Sequence, residues 1–377
     1  MTYKLGDILS YEQPTNYIVE STEYDDSYPT PVLTAGKSFI LGYTNETKGV
    51  YDKLPVIIFD DFTTASQFVD FKFKVKSSAM KILSCNEEIA DIKYMYYLMQ
   101  ITHIQSDTHK RYWISDYSKI PVNLPPLATQ RAIVTRIETL FAELDKAVQH
   151  LRTAQQQIKT YRQAVLNETM NATKFVPVGE VITEMGQGWS PKCCNEPSTS
   201  ENEWGVIKTT AIQSCCFIEE ENKKLPENLE PRLKHELKAG DILITRAGPK
   251  VRVGVCCLIK KTRPKLINCD KAYRVVLNRD MIDAQYFEYV INSPTCIKKL
   301  DELKTGISDS GVNLTQSRFY DLQIPLPPLA EQQRIVKEIE SCLSQVTASE
   351  TYIENALQQA EALRQSILKK AFSGELV

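Results

Sequence analysis

The sequence lacks the long apolar run that a membrane-spanning helix needs, because no stretch approaches about 18 consecutive apolar residues. Its first residues also lack the apolar core of a secretory signal, since Asp7 and Glu12 lie within residues 1–13. Hydrophobic residues make up 42% and charged residues 24% of the 377 residues, as in ordinary globular proteins. We therefore expect a cytoplasmic protein, and the length favours two or more domains.

The motifs of common catalytic sites are also missing. There is no Gly-x-Gly-x-x-Gly, His-Glu-x-x-His or Gly-x-Ser-x-Gly pattern, and no (Asp/Asn)-Pro-Pro-(Tyr/Phe) tetrapeptide of adenine methyltransferases. Gly36-Lys37-Ser38 looks like the end of a phosphate-binding loop, but that motif needs a glycine five residues before Gly36, where the chain has Pro31. We therefore predict no catalytic residue in this chain.

Ten cysteines raise the question of a metal site or a thiol-dependent reaction. Zinc sites use cysteines two to four residues apart, whereas adjacent residues of a strand point to opposite faces. We expect reduced thiols packed in the interior and no metal site. A zinc- or thiol-dependent enzyme stays an alternative, which metal in the purified protein would indicate. The adjacent cysteine pairs are Cys193–Cys194, Cys215–Cys216 and Cys256–Cys257.

One segment of the sequence occurs twice, 202 residues apart. LPPLATQRAIV at 124–134 is matched by LPPLAEQQRIV at 326–336, and 124–170 shares 16 identities with 326–372 without a gap, which indicates duplication. Each copy opens with a double proline, which suits a helix start, and continues with five heptads. In each copy the apolar heptad positions form two seams along the helix. In the first copy one seam is Ile133, Leu140, Ala147, Ala154 and Tyr161, and the other is Ile137, Leu144, Leu151, Ile158 and Val165. In the second copy one seam is Ile335, Cys342, Ser349, Ala356 and Leu363, and the other is Ile339, Val346, Ile353, Ala360 and Ile367.

This pattern predicts two helices of roughly 40 residues, each about 60 Å long at 1.5 Å per residue. Each helix has an apolar stripe that needs a partner, and small residues such as Ala154 and Ala356 allow close approach. We expect the two copies to pair as an antiparallel coiled coil, with the preceding segments at opposite ends of a rod. Ordinary bundle packing and an intermolecular dimer are the alternatives.

The rest of the sequence forms two blocks, the first at 1–123 and the second at about 175–325, which open alike and end in short apolar runs into proline. Residues 56–59 and 253–259 are predicted to be buried strands, and residues 92–100 and 284–291 short helices. The predicted fold class is α+β. It has two α/β globular domains, separated by two long helices that form an antiparallel coiled coil, with a pseudo-two-fold internal repeat.

Polar and basic loops of both blocks supply the candidate site residues, because their side-chain types contact phosphates and base edges. The net charge is −2, so nucleic-acid binding must come from local basic surfaces. Residues 71–76 alternate lysine with apolar residues, which predicts three lysines on one face of a strand. A solvated surface is the alternative for any single loop. The candidate DNA-contacting residues are Lys37, Ser38, Lys72, Lys74, Lys76, Gln187, Trp189, Ser190, Lys192, Lys208, Thr209, Arg246, Lys250, Arg252, Lys271 and Arg274.

Two copies of LPPLAxQ-xxIV, each opening a long helix and each following an α/β block, resemble the specificity subunit of type I restriction–modification enzymes. The resemblance covers essentially the whole chain. It implies target recognition domains at 1–122 and 174–325, each reading one half of an asymmetric two-part DNA site. It also implies conserved spacer helices at 123–173 and 326–377 that set the gap between the half-sites.

The same resemblance implies a non-catalytic chain that binds double-stranded DNA, two modification (methyltransferase) subunits and restriction (translocase/nuclease) subunits. No cofactor is expected on this chain, whereas S-adenosylmethionine, ATP and magnesium are expected on the partner subunits. One alternative is a methylation-only specificity subunit that has no restriction partner. Another is a coiled-coil scaffold whose globular domains bind proteins, which the absence of salt-sensitive, sequence-selective DNA binding would indicate.

Overall fold

Each unit of the folded chain combines one block of the sequence with parts of both long helices. In the computed structural model, unit 1 comprises Met1–Arg152 and Glu354–Val377, and unit 2 comprises Thr153–Ile353. Across the described part of the chain, no helix is long and apolar enough to cross a lipid bilayer. The structure describes residues 2–34, 38–102, 111–306 and 308–376.

The first block contains a four-stranded sheet, a three-stranded sheet and a closing strand pair. Its strands are β1 (Thr2–Lys4), β2 (Leu9–Glu12), β3 (Thr30–Leu33), β4 (Ile40–Thr44), β5 (Val56–Asp60), β6 (Ser66–Val69), β7 (Lys74–Val75), β8 (Met80–Cys85) and β9 (Pro121–Asn123). Its short helices are α1 (Leu5–Ile8), α2 (Ile92–Ile101) and α3 (Tyr112–Ser115). The sheet orders are β2-β8-β5-β6, which is antiparallel, and β4-β3-β7, in which β3 and β7 are parallel. Because β1 pairs with β9, the block closes on itself.

The second block has the same kinds of sheet and two additional small strand pairs. Its strands are β10 (Phe175–Pro177), β11 (Ile182–Gln187), β12 (Gly205–Ile207), β13 (Ile212–Gln213), β14 (Cys216–Phe217), β15 (Asn222–Lys224), β16 (Ile242–Thr245), β17 (Ala247–Gly248), β18 (Cys256–Leu258), β19 (Leu266–Ile267), β20 (Ala272–Leu277), β21 (Val312–Asn313) and β22 (Gln323–Pro325). Its short helices are α5 (Ala284–Ile291), α6 (Pro294–Leu303) and α7 (Gln316–Tyr320).

The two blocks share one topology although their sequences differ. The order β11-β20-β16-β18 matches β2-β8-β5-β6, and β15-β12-β19 matches β4-β3-β7 strand for strand in chain order. The β12–β19 pair is parallel, as is β3–β7, and β10 pairs with β22 as β1 pairs with β9. The predicted internal repeat and the α+β class are therefore confirmed, and the strand pairs join the two similar openings to the two proline-containing endings.

Local sequence explains several of these elements. The predicted apolar strand at 56–59 is the core of β5, where all four side chains are buried. The predicted strand at 253–259 was too long, because Gly254 has a φ of +89° and breaks the extended backbone before β18. Helices α2 and α5 begin where expected, since Asp91 and Asp283 each accept two backbone N–H groups at the helix start.

The two repeated segments form the long helices α4 (Leu127–Asn167) and α8 (Leu329–Phe372). In unit 1, Arg364 of α8 pairs with Asp145 and lies 4.2 Å from the ring centre of Phe141. Farther along α8, Ile367 joins the same core as Ile137 of α4. Since the residue number rises along α8 while it falls along α4, the helices pack antiparallel in this unit.

Unit 2 shows the same antiparallel packing. Arg162 of α4 forms an ion pair with Glu350 of α8 at 2.7 Å. Three residues farther along α4, Val165 shares a hydrophobic core with Ile335 and Ile339 of α8. The predicted antiparallel coiled coil is therefore confirmed within each unit.

Only one of the two predicted seams of α8 is buried along its whole length. The buried seam is Ile339, Val346, Ile353, Ala360 and Ile367. In the other seam Ser349 and Leu363 are exposed, as is Tyr161 of the corresponding seam of α4. When two helices pair, each buries one stripe of its surface against the other. Pairing of α4 and α8 therefore does not require the second seam to be buried along its full length.

The glutamine of each repeated segment fastens its helix to the preceding block. Gln130 is fully buried, accepts the backbone N–H of Asp91 at 2.9 Å and donates to the carbonyl groups of Ile89 and Pro125 at 3.0 and 2.9 Å. Because these partners lie just before the start of α2 and at the double proline, one side chain fixes where α4 begins relative to α2.

The second copy repeats this arrangement. Gln332 is fully buried, accepts from the N–H of Asp283 at 2.8 Å and donates to the carbonyl groups of Met281 and Pro327 at 3.0 and 2.8 Å. The duplicated Gln therefore makes the same three hydrogen bonds in both units.

Candidate nucleic-acid interface

A cavity lined by lysines lies in the second block at the ends of several strands. Its volume is about 580 Å³. It is formed by the loop after β11, the end of β12, strand β15 and the loop before β20, so its residues come from distant parts of the sequence. The candidate residues that line it are Ser190, Lys192, Lys208, Thr209 and Lys271.

The glycine loop after β11 is held against the loop before β20 by backbone contact. Gly188 donates its N–H to the carbonyl of Cys269 at 3.1 Å, and the next N–H, of Trp189, reaches the carbonyl of Asn268 at 2.9 Å. A Cβ atom at position 188 would lie 2.0 Å from that same carbonyl oxygen, so only glycine fits. Ser190 then accepts the N–H of Asp270 at 3.0 Å, which fixes the rim of the cavity.

Lysine ammonium groups dominate the charge of this cavity. Among the described residues that line it, Asp270 is the one carboxylate, against four lysines. Lys208 forms an ion pair with Glu221 at 3.3 Å, but both side chains are about 40% exposed (38% and 40%), so the pair is weak. The arrangement can therefore bind a polyanion, and phosphate groups are the ligand that such a surface favours. The four lining lysines are Lys192, Lys208, Lys223 and Lys271.

A smaller cavity of about 280 Å³ brings Gln187 and Arg274 together with Lys234 and His235. Gln187 is exposed, whereas Arg274 donates to the backbone carbonyl of Lys234 at 2.9 Å. Burial and the neighbouring cations lower the pKa of His235, which keeps its imidazole neutral. Trp189 is half-buried, and its ring stacks on a guanidinium group beside this cavity.

Three of the candidate cations lie within residues 245–252, and the structure gives them different surroundings. Arg252 donates to the side-chain oxygen of Gln213 at 3.1 Å and to the carbonyl of Thr209 at 2.6 Å, so its guanidinium holds the β13–β14 hairpin in place. Arg246 donates to the carbonyl of Asp270 at 3.0 Å, beside the lysine-lined cavity. Lys250 is exposed.

In the first block the predicted face of three lysines is wrong. Lys74 is only 3% exposed, its ammonium lies 2.9 Å from a carboxylate oxygen of Glu46, and it donates to the carbonyl of Lys48 at 2.6 Å. The alternation failed because the three-stranded sheet is covered on both faces at β7. Lys72 and Lys76 are exposed and remain candidates.

The remaining candidates of the first block lie in sequence between β3 and β4. Ser38 is exposed, and Lys76 donates its backbone N–H to the carbonyl of Leu33 at 2.9 Å, which places Lys76 beside the end of β3. Lys37 lies outside the described residues.

Sequence reasoning missed three basic residues of the second block. Lys223 lines the large cavity, Lys234 lines the small one, and Arg232 stacks on Trp189 with 4.5 Å between the guanidinium carbon and the ring centre. The presence of Arg232, Lys234 and His235 within four residues was the available signal for two of these side chains.

The cysteine side chains do not form a reactive cluster in the part of the chain that the structure describes. Burial raises the pKa of Cys215 and Cys296 to about 12 and that of Cys269 to about 11. A thiol acts as a nucleophile or metal ligand when it is ionised, so these surroundings oppose both roles. Within residues 2–34, 38–102, 111–306 and 308–376, no group of three histidine, cysteine or acidic side chains is arranged to hold a metal ion.

Comparison with known proteins points in one direction. A family model described as the type I restriction modification DNA specificity domain matches residues 1–151 and 207–359. The chain is 35% identical over 358 residues to the specificity subunit of the Escherichia coli type I restriction enzyme EcoR124I/EcoR124II, which covers 88% of this chain and 84% of that one.

Two solved structures share the fold. A chain from a structural study of complex assembly and conformational transition of the type I R-M system gives a TM-score of 0.72 at 19% identity, covering 100% of this chain and 98% of that chain. The HsdS subunit from Thermoanaerobacter tengcongensis gives a TM-score of 0.53 at 18% identity, with coverage of 100% and 97%.

Proposed function

The chain belongs to the DNA specificity subunits of type I restriction–modification enzymes, and from this premise we propose how it reads DNA. Recognition of a DNA sequence is its function. Each block contacts one half of a two-part site, and α4 and α8 set the gap between the halves. The blocks share a topology but differ in their loops, as in the β13–β14 hairpin of the second block, so the two half-sites have different sequences.

The lysine-lined cavity carries this proposal for the second block. Four ammonium groups around one concave surface attract the DNA backbone and fix the register of the protein on the duplex. Gln187 and Ser190 at the glycine loop have the side-chain types that read base edges. Replacing one phosphate-contacting lysine reduces the slope of the logarithm of the binding constant against the logarithm of the salt concentration by about one. We expect this result for Lys223→Ala.

The partner subunits supply the chemistry in this proposal. As a type I specificity subunit, the chain works with methyltransferase and restriction subunits in a complex with DNA. We propose that it binds two methyltransferase subunits and is not itself catalytic. S-adenosylmethionine, ATP and magnesium belong to the partner subunits, and the complex acts in the cytoplasm.

The helices act as a ruler in this proposal. A four-residue insertion near Gln156 shifts the heptad seam and is expected to change the preferred gap without changing either half-site. Methylation mapping of the inserted variant measures the gap directly. An unchanged gap in a folded, active complex would contradict the ruler.

The test of the function is to map adenine methylation genome-wide in cells that express this chain with its neighbouring methyltransferase subunit. The expected result is one motif with two short, different halves around a fixed gap. Cells that express the methyltransferase subunit alone are the control. A stable complex that produces no new methylation and shows no salt-sensitive, sequence-selective DNA binding would overturn the proposal in favour of a protein-binding scaffold.

A further inference from the structure

One leucine of the second block is presented to solvent on a basic turn. Leu233 is 66% exposed and begins a single 3₁₀ turn, Leu233–His235. Its neighbours in sequence are Arg232 and Lys234. A large apolar side chain that is this exposed adds little to the core of the protein and is accessible to a ligand that contacts the turn.

The turn is held rigidly. Arg274 donates to the carbonyl groups of Lys234 and Glu236 at 2.9 and 3.0 Å, and the backbone N–H of Asn268 donates to the carbonyl of His235 at 2.9 Å. These bonds tie the turn to β20 and to the loop before it. The backbone that carries Leu233 is therefore already held in place in the free protein, so binding of a ligand does not have to order it.

The turn lies beside the loop that we assign to DNA reading. The guanidinium of Arg232 stacks on Trp189 at 4.5 Å, and Lys234 lines the small cavity together with Gln187. Glu184 also lines that cavity. Glu236 is half-buried and its carboxylate accepts the backbone N–H of Lys265 at 2.9 Å, whereas Arg232 and Lys234 are exposed, so the charges that flank Leu233 at the surface are the two cations.

A rigid, exposed leucine with a cation on each side is better suited to contact duplex DNA than to insert into an apolar groove of another protein. The cations bind the backbone phosphates, while apolar side chains such as leucine enter between base pairs and partly unstack them. We propose that Leu233 inserts as a wedge at one base step of the half-site read by the second block. This inference rests on the proposed function of that block.

The wedge makes Leu233 a specificity-determining residue without a hydrogen bond to any base. Unstacking costs least at flexible pyrimidine–purine steps, so the half-site should contain such a step at the insertion point. Replacing Leu233 by alanine should relax the preference at that step and leave the preference at the other positions of the half-site unchanged.

The experiment uses the assembled complex with its methyltransferase subunits and a duplex oligonucleotide that carries the mapped methylation motif. 2-Aminopurine replaces one base at a time in the second half-site, and its fluorescence reports unstacking. The wild-type complex should raise the signal at one step, and Leu233→Ala should abolish that rise and weaken binding about tenfold. A rise at the methylated adenine comes from base flipping by the partner subunits and should persist in the variant.

Ile297→Ala is the matched control, because Ile297 is also an exposed aliphatic side chain of the second block but lies on α6 and lines neither cavity. It should bind DNA as the wild type does. Leu233→Met, which keeps a long apolar side chain, should retain the fluorescence rise.

The proposal is overturned if no step shows a signal that depends on Leu233, or if Leu233→Ala binds the motif as tightly as Ile297→Ala. It is also overturned if Leu233→Ala loses methyltransferase subunits in the absence of DNA, because the leucine would then be a protein contact. Failure of the proposed function looks different, since the wild-type complex itself would then not select the motif.

Discussion

Replacing Gln332 by leucine tests whether the repeated glutamine fastens a long helix to its block. The substitution keeps most of the side-chain volume but removes the bonds to the N–H of Asp283 and the carbonyls of Met281 and Pro327. Each bond contributes about 1 kcal/mol, and a partner left unsatisfied costs about 1–3 kcal/mol. We therefore expect the free energy of unfolding of unit 2 to fall by about 3 kcal/mol or more.

Urea unfolding followed by tryptophan fluorescence measures this loss. Trp113 lies in unit 1, whereas Trp189 and Trp204 lie in unit 2. In a Trp113→Phe background the fluorescence therefore reports unit 2, and the midpoint and slope of its transition give the free energy.

Gln333→Leu is the matched control for this prediction. Gln333 is the next residue of the same helix and is exposed, so its replacement should change stability by about 0.5 kcal/mol or less. If Gln332→Leu differs from this control by less than about 1 kcal/mol, the fastening role is refuted. Gln130→Leu should destabilise unit 1 in the same way, with Trp113 as the reporter.

Three further predictions follow from the same structure. Arg246→Ala should weaken recognition of the second half-site only, measured by binding to duplexes altered in one half at a time; equal loss at both halves would contradict its position beside the cavity. Lys74→Met should destabilise unit 1 by about 3 kcal/mol in urea unfolding, because it leaves a partly buried carboxylate unpaired, whereas the exposed Lys72→Met should not. Burial raises the pKa of Glu288 to about 7. Native unit 2 therefore binds more protons than the unfolded chain between about pH 4.5 and 7, and its free energy of unfolding falls as the pH rises through that window. Glu288→Gln should remove this loss, so its stability relative to wild type should increase from pH 5 to 8; a constant difference would refute the pKa.

The pattern of apolar and polar residues along the sequence was enough to predict the helices and strands that depend on contiguous residues. The duplicated motif and its heptads predicted α4 and α8, and the apolar run at 56–59 predicted β5. Helix α5 begins and ends at the predicted residues 284 and 291. These elements are readable because helix and strand periods are properties of contiguous sequence.

The similar openings and endings of the two blocks were visible in the sequence, but not what they do. The antiparallel pair of β1 and β9 joins residues that are more than a hundred positions apart, and β10 and β22 repeat this closure. Only the folded chain shows that these segments are partners, because pairing over such separations leaves no local signal.

Only the tertiary structure decided which cations face solvent and which side chains meet. Lys74 and Lys72 look equivalent in sequence, yet the sheet packing buries Lys74 against Glu46 and leaves Lys72 exposed. Lys192 and Lys271 meet in one cavity because β11 and β20 are neighbours in a sheet. The sequence therefore determined the repeat, the helices and the class of side chain available for DNA, whereas the interface itself depends on contacts between residues far apart in the chain, which periodicity does not encode.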